Sequence, residues 1–547
     1  MRRKGMAIWV TFVLFCSFVV ITVEITPNAS AYTPHDPISI DGDGDFAAQA
    51  ADEGWPGNGT EGNPYVIEGY EITRGHECIY LVRTRAHFII RDSRLVSSSY
   101  NYCIFLNNVQ NGSVENCILE NGSFGLYMFS AGNITVTNNS VINNNIKCEW
   151  TWDCFFSENK ILEGGFRFII FTLEEWTTHT VDPSNTVNGK PVYYWKNRNG
   201  GTIPPGAGQV ILANCTQVTV ENQEFTNTSH GITVGHSSKN YIRGNTFHSN
   251  NEEAINLRRS THNIISENYI YSNHHGIWLY NSDNNTIQFN NINSSGLGML
   301  IISSNGNHIF GNKLTANLRG IEFMSSEDYL KPTINTVVNN TLRDNGIGIS
   351  IDECDENTLQ NNIVIDNGRG FYLSSSKRNN IIGNAIRDNG YGIYFEDLSD
   401  ENSIEGNNIS NNYYGFYLRI TSNNRFHHNN IINNTDQLNQ EHSRNIWDDG
   451  EGEGNYWDNY GGIDDGRDGR KVGDGVGDSL IPHEEVDNFP LIEPVDLERY
   501  GETEPEDEYL TDFEIVILGI MMGFAILIIS IFAVILSRKK REKNKET

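Results

Sequence analysis

The sequence has few basic residues for its length, and this shortage limits what the protein can bind. Lys and Arg number 39 against 69 Asp and Glu, which gives the 547 residues a formal net charge of −30. Binding to nucleic acid requires clustered Lys and Arg that neutralise phosphates. The one dense basic run lies in the last ten residues, so we expect no nucleic-acid partner. CxxC pairs are also missing, and with them the zinc and redox motifs built on that spacing.

Long apolar stretches are rare too, and the two that occur lie at opposite ends of the chain. The first, residues 7–23, follows three basic residues and precedes Ala29-Ser30-Ala31, a suitable signal-peptidase site. We predict a signal peptide over residues 1–31, with an uncleaved anchor as the alternative. The second, residues 515–536, is long enough to cross a hydrocarbon core of about 30 Å.

Charge on either side of the second stretch predicts its orientation. The linker before it, residues 493–514, is acidic, and the tail after it, residues 537–547, is basic. The positive-inside rule therefore places the tail in the cytoplasm and the rest of the chain outside. The sequence predicts a cell-membrane protein with one C-terminal transmembrane helix, an extracytoplasmic ectodomain and the membrane itself as a partner.

A short repeat fills most of the ectodomain. The pattern Asn-x-apolar-x-x-Asn recurs between residues 222 and 434 in steps of 22 or 23 residues, with one step of 28, and a Gly-apolar-x-apolar motif keeps the same step. Units this short exclude helical-pair repeats and favour short strands separated by tight turns. We predict an all-β parallel β-helix of roughly 15 coils over residues 64–440, between an N-terminal cap (32–63) and a C-terminal cap (441–492).

Two details of the repeat carry further expectations. Residues 165–207 break the period and are rich in aromatics, which predicts a lateral insertion. The repeated Asn predicts amide ladders between coils, with Asn in the left-handed backbone conformation at each corner. Cys78, Cys103 and Cys148 occupy equivalent repeat positions, so Cys78 and Cys103 either form a disulfide or remain buried thiols.

Three separated segments resemble the NosD-like family of right-handed parallel β-helix proteins. ISIDGD at 38–43 with GTEGNPYVI at 59–67 is similar to the family's N-terminal cap, and NTVNGKPVYY at 185–194 to its mid-helix insertion. GNYWDNY at 454–460, GDGVGD at 473–478 and DNFPL at 487–491 are similar to its C-terminal end. The resemblance implies a right-handed solenoid and repeats of the class found in carbohydrate-binding proteins and sugar hydrolases. Some members assist copper-site maturation in the periplasm. The C-terminal anchor departs from that type, so we do not transfer the copper role.

Candidate binding residues come from the Gly motif. The residue between its two apolar positions should face outward, and four of these positions are aromatic: Trp278, Tyr372, Tyr394 and Tyr417. The three tyrosines should stack on consecutive coils and offer flat faces to sugar rings, although the same stripe also stabilises a sheet.

Metal and catalytic residues are harder to assign. Asp41, Asp43 and Asp45, and likewise Asp474 and Asp478, offer alternating oxygen ligands for calcium, but they also suit solvated turns, and neither run fits the EF-hand register. The adjacent pairs His274-His275 and His427-His428 should point to opposite faces and make poor joint ligands. The carboxylate set of polygalacturonase-like enzymes is absent.

The leading hypothesis is a non-enzymatic, membrane-anchored surface protein that binds a polysaccharide or a surface protein. A carbohydrate-active enzyme (lyase, hydrolase or epimerase) is the second hypothesis, and a periplasmic accessory in copper-site maturation is the third. Asn-x-Ser/Thr sequons would allow glycosylation of the rod. Candidate carboxylates for the enzyme hypothesis are Asp344, Asp352, Glu353, Asp366 and Asp388.

Overall fold

The structure, a computed structural model, describes residues 32–501 apart from residues 74–76, 99 and 327–330. This part of the chain forms an all-β, right-handed solenoid of about 18 turns. The predicted architecture is confirmed, but 15 coils is too low a count because coils already begin at Ile38, before the Asn motif appears. In the described part no helix is long and apolar enough to cross a membrane. The predicted signal peptide, transmembrane helix and tail lie outside it.

The N-terminal section of the solenoid has three parallel sheets, and each coil adds one strand to each sheet. The first N-terminal sheet contains Ile38–Asp41, Ile79–Val82, Tyr102–Asn107, Phe124–Phe129, Ile146–Glu149 and Phe166–Ile169. The second contains Tyr65–Glu68, Phe88–Arg91, Gln110–Glu115, Gly132–Thr137, Phe155–Ser157 and Thr180–Val181. The third contains Thr33–Pro34, Tyr70–Thr73, Arg94–Val96, Ile118–Glu120, Ser140–Ile142, Lys160–Leu162 and Thr186–Val187.

The C-terminal section repeats this plan with longer sheets. The first C-terminal sheet contains Lys190–Lys196, Gln209–Ala213, Ile232–Gly235, Glu253–Arg258, His275–Tyr280, Leu297–Ile302, Arg319–Met324, Ile347–Asp352, Arg369–Ser374, Tyr391–Glu396, Tyr414–Arg419 and Asp436–Glu441. The second contains Thr219–Glu221, Tyr241–Arg243, Ile264–Ser266, Thr286–Gln288, His308–Phe310, Thr336–Val338, Thr358–Gln360, Asn380–Ile382, Ser403–Glu405, Ser422–His427 and Arg444–Ile446. The third contains Glu224–Thr226, Thr246–His248, Tyr269–Tyr271, Asn291–Asn293, Lys313–Thr315, Thr341–Arg343, Ile363–Ile365, Ala385–Arg387, Asn408–Ser410, Asn430–Ile432 and Tyr456–Trp457.

Within residues 32–501, as far as the structure describes them, helices are short. The helix Asp43–Glu53 buries Phe46 and Ala50 against the first coils and ends at Gly54 in the left-handed conformation. The helix Leu173–Thr178 begins with a capping box and buries Trp176. Two 3₁₀ turns, Arg467–Gly469 and Leu497–Tyr500, lie beyond the last coil.

The segment predicted as a lateral insertion is the junction between the two sections. Its strands Phe166–Ile169, Thr180–Val181 and Thr186–Val187 continue the three N-terminal sheets. Thr186–Val187 then pairs antiparallel with the start of Lys190–Lys196, which opens the first C-terminal sheet. The aromatics that marked this segment pack inside it: Trp176 is fully buried, and the Tyr194 hydroxyl donates to its carbonyl at 2.6 Å.

Asparagine ladders run along the C-terminal section as predicted. The Asn340 amide donates to Oδ1 of Asn362 at 3.1 Å, and the Asn362 amide donates to Oδ1 of Asn384 at 3.0 Å. The backbone expectation was wrong, because the left-handed residue is the one before the ladder position, such as Asn361 before Asn362. This arrangement turns the ladder side chain inward, where it is buried and bonds its neighbours.

The cysteines are buried free thiols. Cys78, Cys103, Cys117, Cys148, Cys154, Cys215 and Cys354 are all unpaired. Ile79 pairs with Ile104, so Cys78 and Cys103 do lie on adjacent strands. Cys148 instead pairs with Met128, so its predicted equivalence to the other two was wrong.

Candidate functional site

The predicted outward positions form one continuous column on the first C-terminal sheet. Strand register aligns Asn256 with Trp278 and Leu300, and further along it aligns Tyr372 with Tyr394 and Tyr417. The stacking of the three tyrosines on consecutive coils is confirmed. Exposure varies sharply along the column, however. Some members are nearly inaccessible although they point away from the solenoid core, and these are Thr233, Asn256, Leu300, Glu322 and Ser350.

The junction explains why the N-terminal end of this column is buried. Ile211 and Ala213 point away from the C-terminal core and belong to the N-terminal core instead. A Cβ added to Gly235 would lie 2.5 Å from the Trp176 ring, so the junction helix lies directly on this sheet. The N-terminal section thus covers the outer face of the first coils of the C-terminal section. Ligand sites occur preferentially where two such units meet.

A buried carboxylate anchors the edge of this contact. Glu253 is 1% exposed, and its Oε2 lies 2.6 Å from Nε2 of His230. The Asn256 amide donates to the same carboxylate at 3.1 Å, and Nδ1 of His275 lies 3.4 Å from it. Burial alone would raise the pKa of Glu253, but the two histidines outweigh it and hold the pKa well below its usual range. Glu253 therefore stays ionised and paired.

The arginine beside it interacts electrostatically with Glu253 but forms no close ion pair among the described residues. The Arg258 guanidinium is half-buried and lies 5.7 Å from the Trp278 ring centroid and 5.8 Å from that of Tyr280. Burial lowers its pKa, yet arginine keeps its charge in proteins. Across the junction, Arg167 pairs with Glu252 at 2.9 Å. The result is a partly enclosed patch of charged and aromatic side chains.

Several buried polar atoms of this column have no hydrogen-bond partner among the described residues. They are Oδ1 of Asn256, Nε of Arg258, Nε1 of Trp278 and Oγ of Ser350. Leaving such an atom unsatisfied costs about 1–3 kcal/mol. We define Asn256, Arg258, Trp278 and Ser350 as the polar column.

The tyrosine end of the face is built differently. Tyr394 and Tyr417 stack face to face with ring centroids 4.8 Å apart and planes 7° apart. The Arg369 guanidinium lies 4.6 Å from the Tyr394 centroid, on the strand before it. The faces of Tyr394 are therefore covered, and the expectation that they are open to sugar rings was wrong for this residue.

The tyrosine hydroxyls are also satisfied within the protein. Glu396 accepts from the hydroxyls of Tyr372 and Tyr394 and pairs with Arg419 at 2.9 Å. Burial would raise the pKa of Glu396, but these three partners lower it. Burial and the Glu396 contact raise the pKa of Tyr372 to about 12. The tyrosine hydroxyls of this cluster thus have protein partners, although Nε of Arg419 has none among the described residues.

The carboxylates considered for catalysis do not converge as a set. Asp344, Asp366 and Asp388 are exposed corner residues in the left-handed conformation. Glu353 occupies a left-handed position at another corner, just after Asp352. Asp352 differs from these, because it lies on the first C-terminal sheet and burial raises its pKa.

The aspartates near the N-terminus, predicted as calcium ligands, have protein partners. Asp41 forms an ion pair with Arg83. Asp43 accepts from the Thr84 hydroxyl at 2.6 Å, and Asp45 accepts from the backbone N–H of Asp41 at 2.8 Å. These contacts fasten the start of the first helix to the next coil.

The second calcium candidate lies in the turns after the last coil. Asp474 accepts from the backbone N–H of Val476 at 3.1 Å. Asp478 is buried and accepts from the backbone N–H of Gly466 at 2.5 Å. Calcium at either run of aspartates stays a prediction.

Two family models match the chain. One, described as periplasmic copper-binding protein (NosD), matches residues 178–319 and 314–462, which is more than half of the chain. The chain belongs to the NosD family. The other, described as right handed beta helix region, matches residues 62–177 of this NosD-family protein. No curated protein matches it.

Solved structures match the chain only at low similarity. A double mutant of the periplasmic alginate epimerase AlgG is 14% identical, over 76% of this chain and 86% of its own, with a TM-score of 0.30. The A-module of mannuronan C-5 epimerase AlgE4 from Azotobacter vinelandii is 16% identical, over 75% of this chain and 96% of the module, with a TM-score of 0.28. DFA-IIIase from Arthrobacter chlorophenolicus is 12% identical, over 58% and 83%, with a TM-score of 0.30. Matches this distant carry no functional argument.

The copper in the family's description raises the question of whether this chain has suitable ligands. Copper(I) prefers thiolates, but burial raises the pKa of Cys78 and Cys117 to about 12, so these thiols stay protonated. Copper(II) accepts imidazole and carboxylate ligands. Glu405, His427 and His428 each offer one such atom, all within 4.8 Å of one another. The described residues therefore fit copper in its divalent state.

Sequence reasoning missed most of these residues. Asn256 occupies an outward position of the Gly motif but is not aromatic, so it was not a candidate, and His230, Glu253 and Arg258 follow no motif. Arg167 and Glu252 are 85 residues apart in the chain, so periodicity gives no sign of their contact. His427 and His428 were noticed as a pair but dismissed.

Proposed function

We propose that this protein is a membrane-tethered, extracytoplasmic binding protein that holds a polysaccharide chain across the outer face of its first C-terminal sheet. The polar column carries the proposal. Asn256 and Ser350 are buried, Arg258 and Trp278 are half-buried, and each has one buried polar atom without a partner among the described residues. The Arg258 guanidinium lies 5.7 Å from the Trp278 ring centroid, so charge and an aromatic ring meet at one end of the column. Sugar rings present both hydroxyl groups and apolar C–H faces, so such a surface suits them.

The fold supports an extended ligand. Neighbouring strands of a sheet lie about 4.8 Å apart, so the column from Asn256 to Ser350 crosses five strands and runs roughly 20 Å. That length spans several sugar units. The predicted signal peptide and C-terminal span would present this face outside the membrane, as the family description places its members in the periplasm.

The proposal is tested by binding of the full chain, in detergent micelles, to a polysaccharide and glycan array. We expect Trp278→Ala to weaken binding at least tenfold, because buried aromatic residues dominate such contacts. Tyr269→Ala is the matched control, since Tyr269 is an exposed aromatic on the third C-terminal sheet. Equal binding by Trp278→Ala and wild type would refute the site, and binding to no glycan would favour a protein partner.

A carbohydrate-active enzyme is the second candidate, and one observation favours it. Burial raises the pKa of Asp352, while its neighbours hold that of Glu396 low. Carboxylates with opposite shifts are typical of an acid and base pair. Mass spectrometry of bound glycans decides between the candidates. New products that disappear in Asp352→Asn would indicate catalysis, whereas unchanged glycans would support binding alone.

A further inference from the structure

Two adjacent histidines at the C-terminal end of the solenoid point to the same place. His427 ends the strand Ser422–His427, and its Nδ1 lies 3.0 Å from Nδ1 of His428. Adjacent strand residues normally point to opposite faces. Here His428 has a φ of 55°, so the chain turns and both imidazoles converge. The expectation that these two rings point to opposite faces was wrong.

A carboxylate completes the group. Glu405 pairs in register with His427 on the neighbouring strand, so both side chains leave the sheet on the same side. One Glu405 oxygen accepts from the Tyr500 hydroxyl at 2.9 Å, which holds the carboxylate in place. The ligand atoms of Glu405, His427 and His428 lie within 4.8 Å of one another.

The spacing suits a metal ion. Bonds of about 2.0 Å to a tetrahedral ion put neighbouring ligand atoms about 3.3 Å apart. The Nδ1 atoms of His427 and His428 are already 3.0 Å apart. An ion bound by both nitrogens would replace the hydrogen bond that now joins them.

The outer contacts of His428 are those of a metal ligand. Its Nε2 lies 2.9 Å from a carboxylate oxygen of Glu453 and 4.0 Å from one of Asp449. Metal-binding histidines almost always donate their second ring N–H to such an acceptor, which fixes the tautomer. Asp449 is itself held by the backbone N–H groups of residues 451, 452 and 453 at 2.7–3.0 Å. The second ring nitrogen is thus fixed before any ion arrives.

We propose that Glu405, His427 and His428 bind one divalent transition-metal ion, zinc or copper(II), with Glu453 and Asp449 orienting His428. Imidazole and carboxylate ligands suit these two ions, whereas calcium prefers oxygen ligands alone. The site lies on the second C-terminal sheet, away from the polar column, and does not depend on glycan binding.

The test is calorimetric titration of chelator-stripped full chain in detergent micelles with zinc sulfate and, separately, copper(II) sulfate. We expect one ion per chain, and for copper(II) an electron paramagnetic resonance spectrum showing two nitrogen ligands. The double variant His427→Ala/His428→Ala should lose this binding. His308→Ala should keep it, because His308 is an exposed histidine on the same sheet.

A variant outside the ligand set guards against simple misfolding. Glu453 is half-exposed, so Glu453→Gln should fold normally yet weaken ion binding about 10–100-fold. Zinc binding without copper binding, or the reverse, would identify the ion and support the site. Failure to bind either ion, or binding unchanged in the double variant, would overturn the proposal. Loss of binding equal in His308→Ala and the double variant would also overturn it.

Discussion

Replacing Asn379 by alanine should destabilise the solenoid locally by about 4 kcal/mol. Oδ1 of the buried Asn379 side chain accepts from the backbone N–H of Asn357 at 2.9 Å and from the side-chain amide of Asn357 at 3.1 Å. It donates to Oδ1 of Asn402 and to the carbonyl of Cys354, both at 3.1 Å. Alanine removes all four hydrogen bonds, and each contributes about 1 kcal/mol net.

The next residue supplies the control. Asn380 follows Asn379 directly as the first residue of the strand and has an exposed side chain, so Asn380→Ala removes the same chemical group from the surface. Surface substitutions of this kind usually change stability by less than about 0.5 kcal/mol. The two variants differ only in whether the amide belongs to the ladder.

Native-state hydrogen exchange measured by mass spectrometry is the suitable assay, because solenoids open locally rather than all at once. A loss of about 4 kcal/mol corresponds to roughly 1000-fold faster exchange for amides of the coils on either side of Asn379. If exchange in Asn379→Ala rises less than about tenfold, or no more than in Asn380→Ala, the ladder does not hold the coils together.

Two further perturbations follow from single buried positions. Gly370→Ala should lower the free energy of unfolding in urea by about 1–3 kcal/mol, since the added Cβ would lie 2.6 Å from the Gly392 carbonyl oxygen. Gly44→Ala is the control and should not lower it, because a Cβ there meets nothing within 4 Å. Equal stability of the two variants would contradict this prediction. Burial lowers the pKa of His179 to about 4, so the unfolded chain takes up the proton first. The stability His179 contributes is complete above about pH 6.5 and falls by about 3 kcal/mol towards pH 4. His179→Gln should remove that part of the pH dependence, and an unchanged profile would refute it.

The sequence predicts the repeating part of the fold well because its signals repeat. A coil whose Asn and Gly recur every 22 or 23 residues must stack in register, and the ladder from Asn340 through Asn362 to Asn384 follows from that spacing. The Gly motif is visible in the sequence, but the sequence alone does not show why glycine is required there. A side chain at Gly370 or its equivalents would strike the backbone of the next coil, so glycine is needed for close approach.

A third ladder escaped prediction although its residues are equally regular. Asn357, Asn379 and Asn402 precede the strands of the second C-terminal sheet and bond one another as the other ladders do. They fit the same Asn-x-apolar-x-x-Asn pattern, Asn357 with Asn362 for example, so this ladder was predictable from the sequence and was overlooked. The residue in the left-handed conformation was predicted one position too late, because only the structure shows that the ladder side chain is buried.

The candidate site was less predictable because its contacts are not periodic. The junction brings Arg167 to Glu252 across 85 residues, and no local pattern indicates that meeting. The orientation of His427 and His428 was predicted wrongly for a different reason, because a local rule was applied outside the strand. The rule of alternating faces holds along a strand, but His428 lies just beyond the strand end in the left-handed conformation, where the rule no longer applies.

The two ends of the outer face should therefore contribute unequally to glycan binding. The rings of Tyr394 are covered by Tyr417 and Arg369, and its hydroxyl is bonded to Glu396, so a ligand would gain little there without first breaking these contacts. Trp278, by contrast, has a buried indole N–H without a partner among the described residues. If binding turns this N–H toward a ligand hydroxyl, the new hydrogen bond recovers about 1–3 kcal/mol that the free protein has lost. We expect Trp278→Ala to reduce affinity more than Tyr394→Ala, and the reverse order in the array measurement would move the site to the tyrosines.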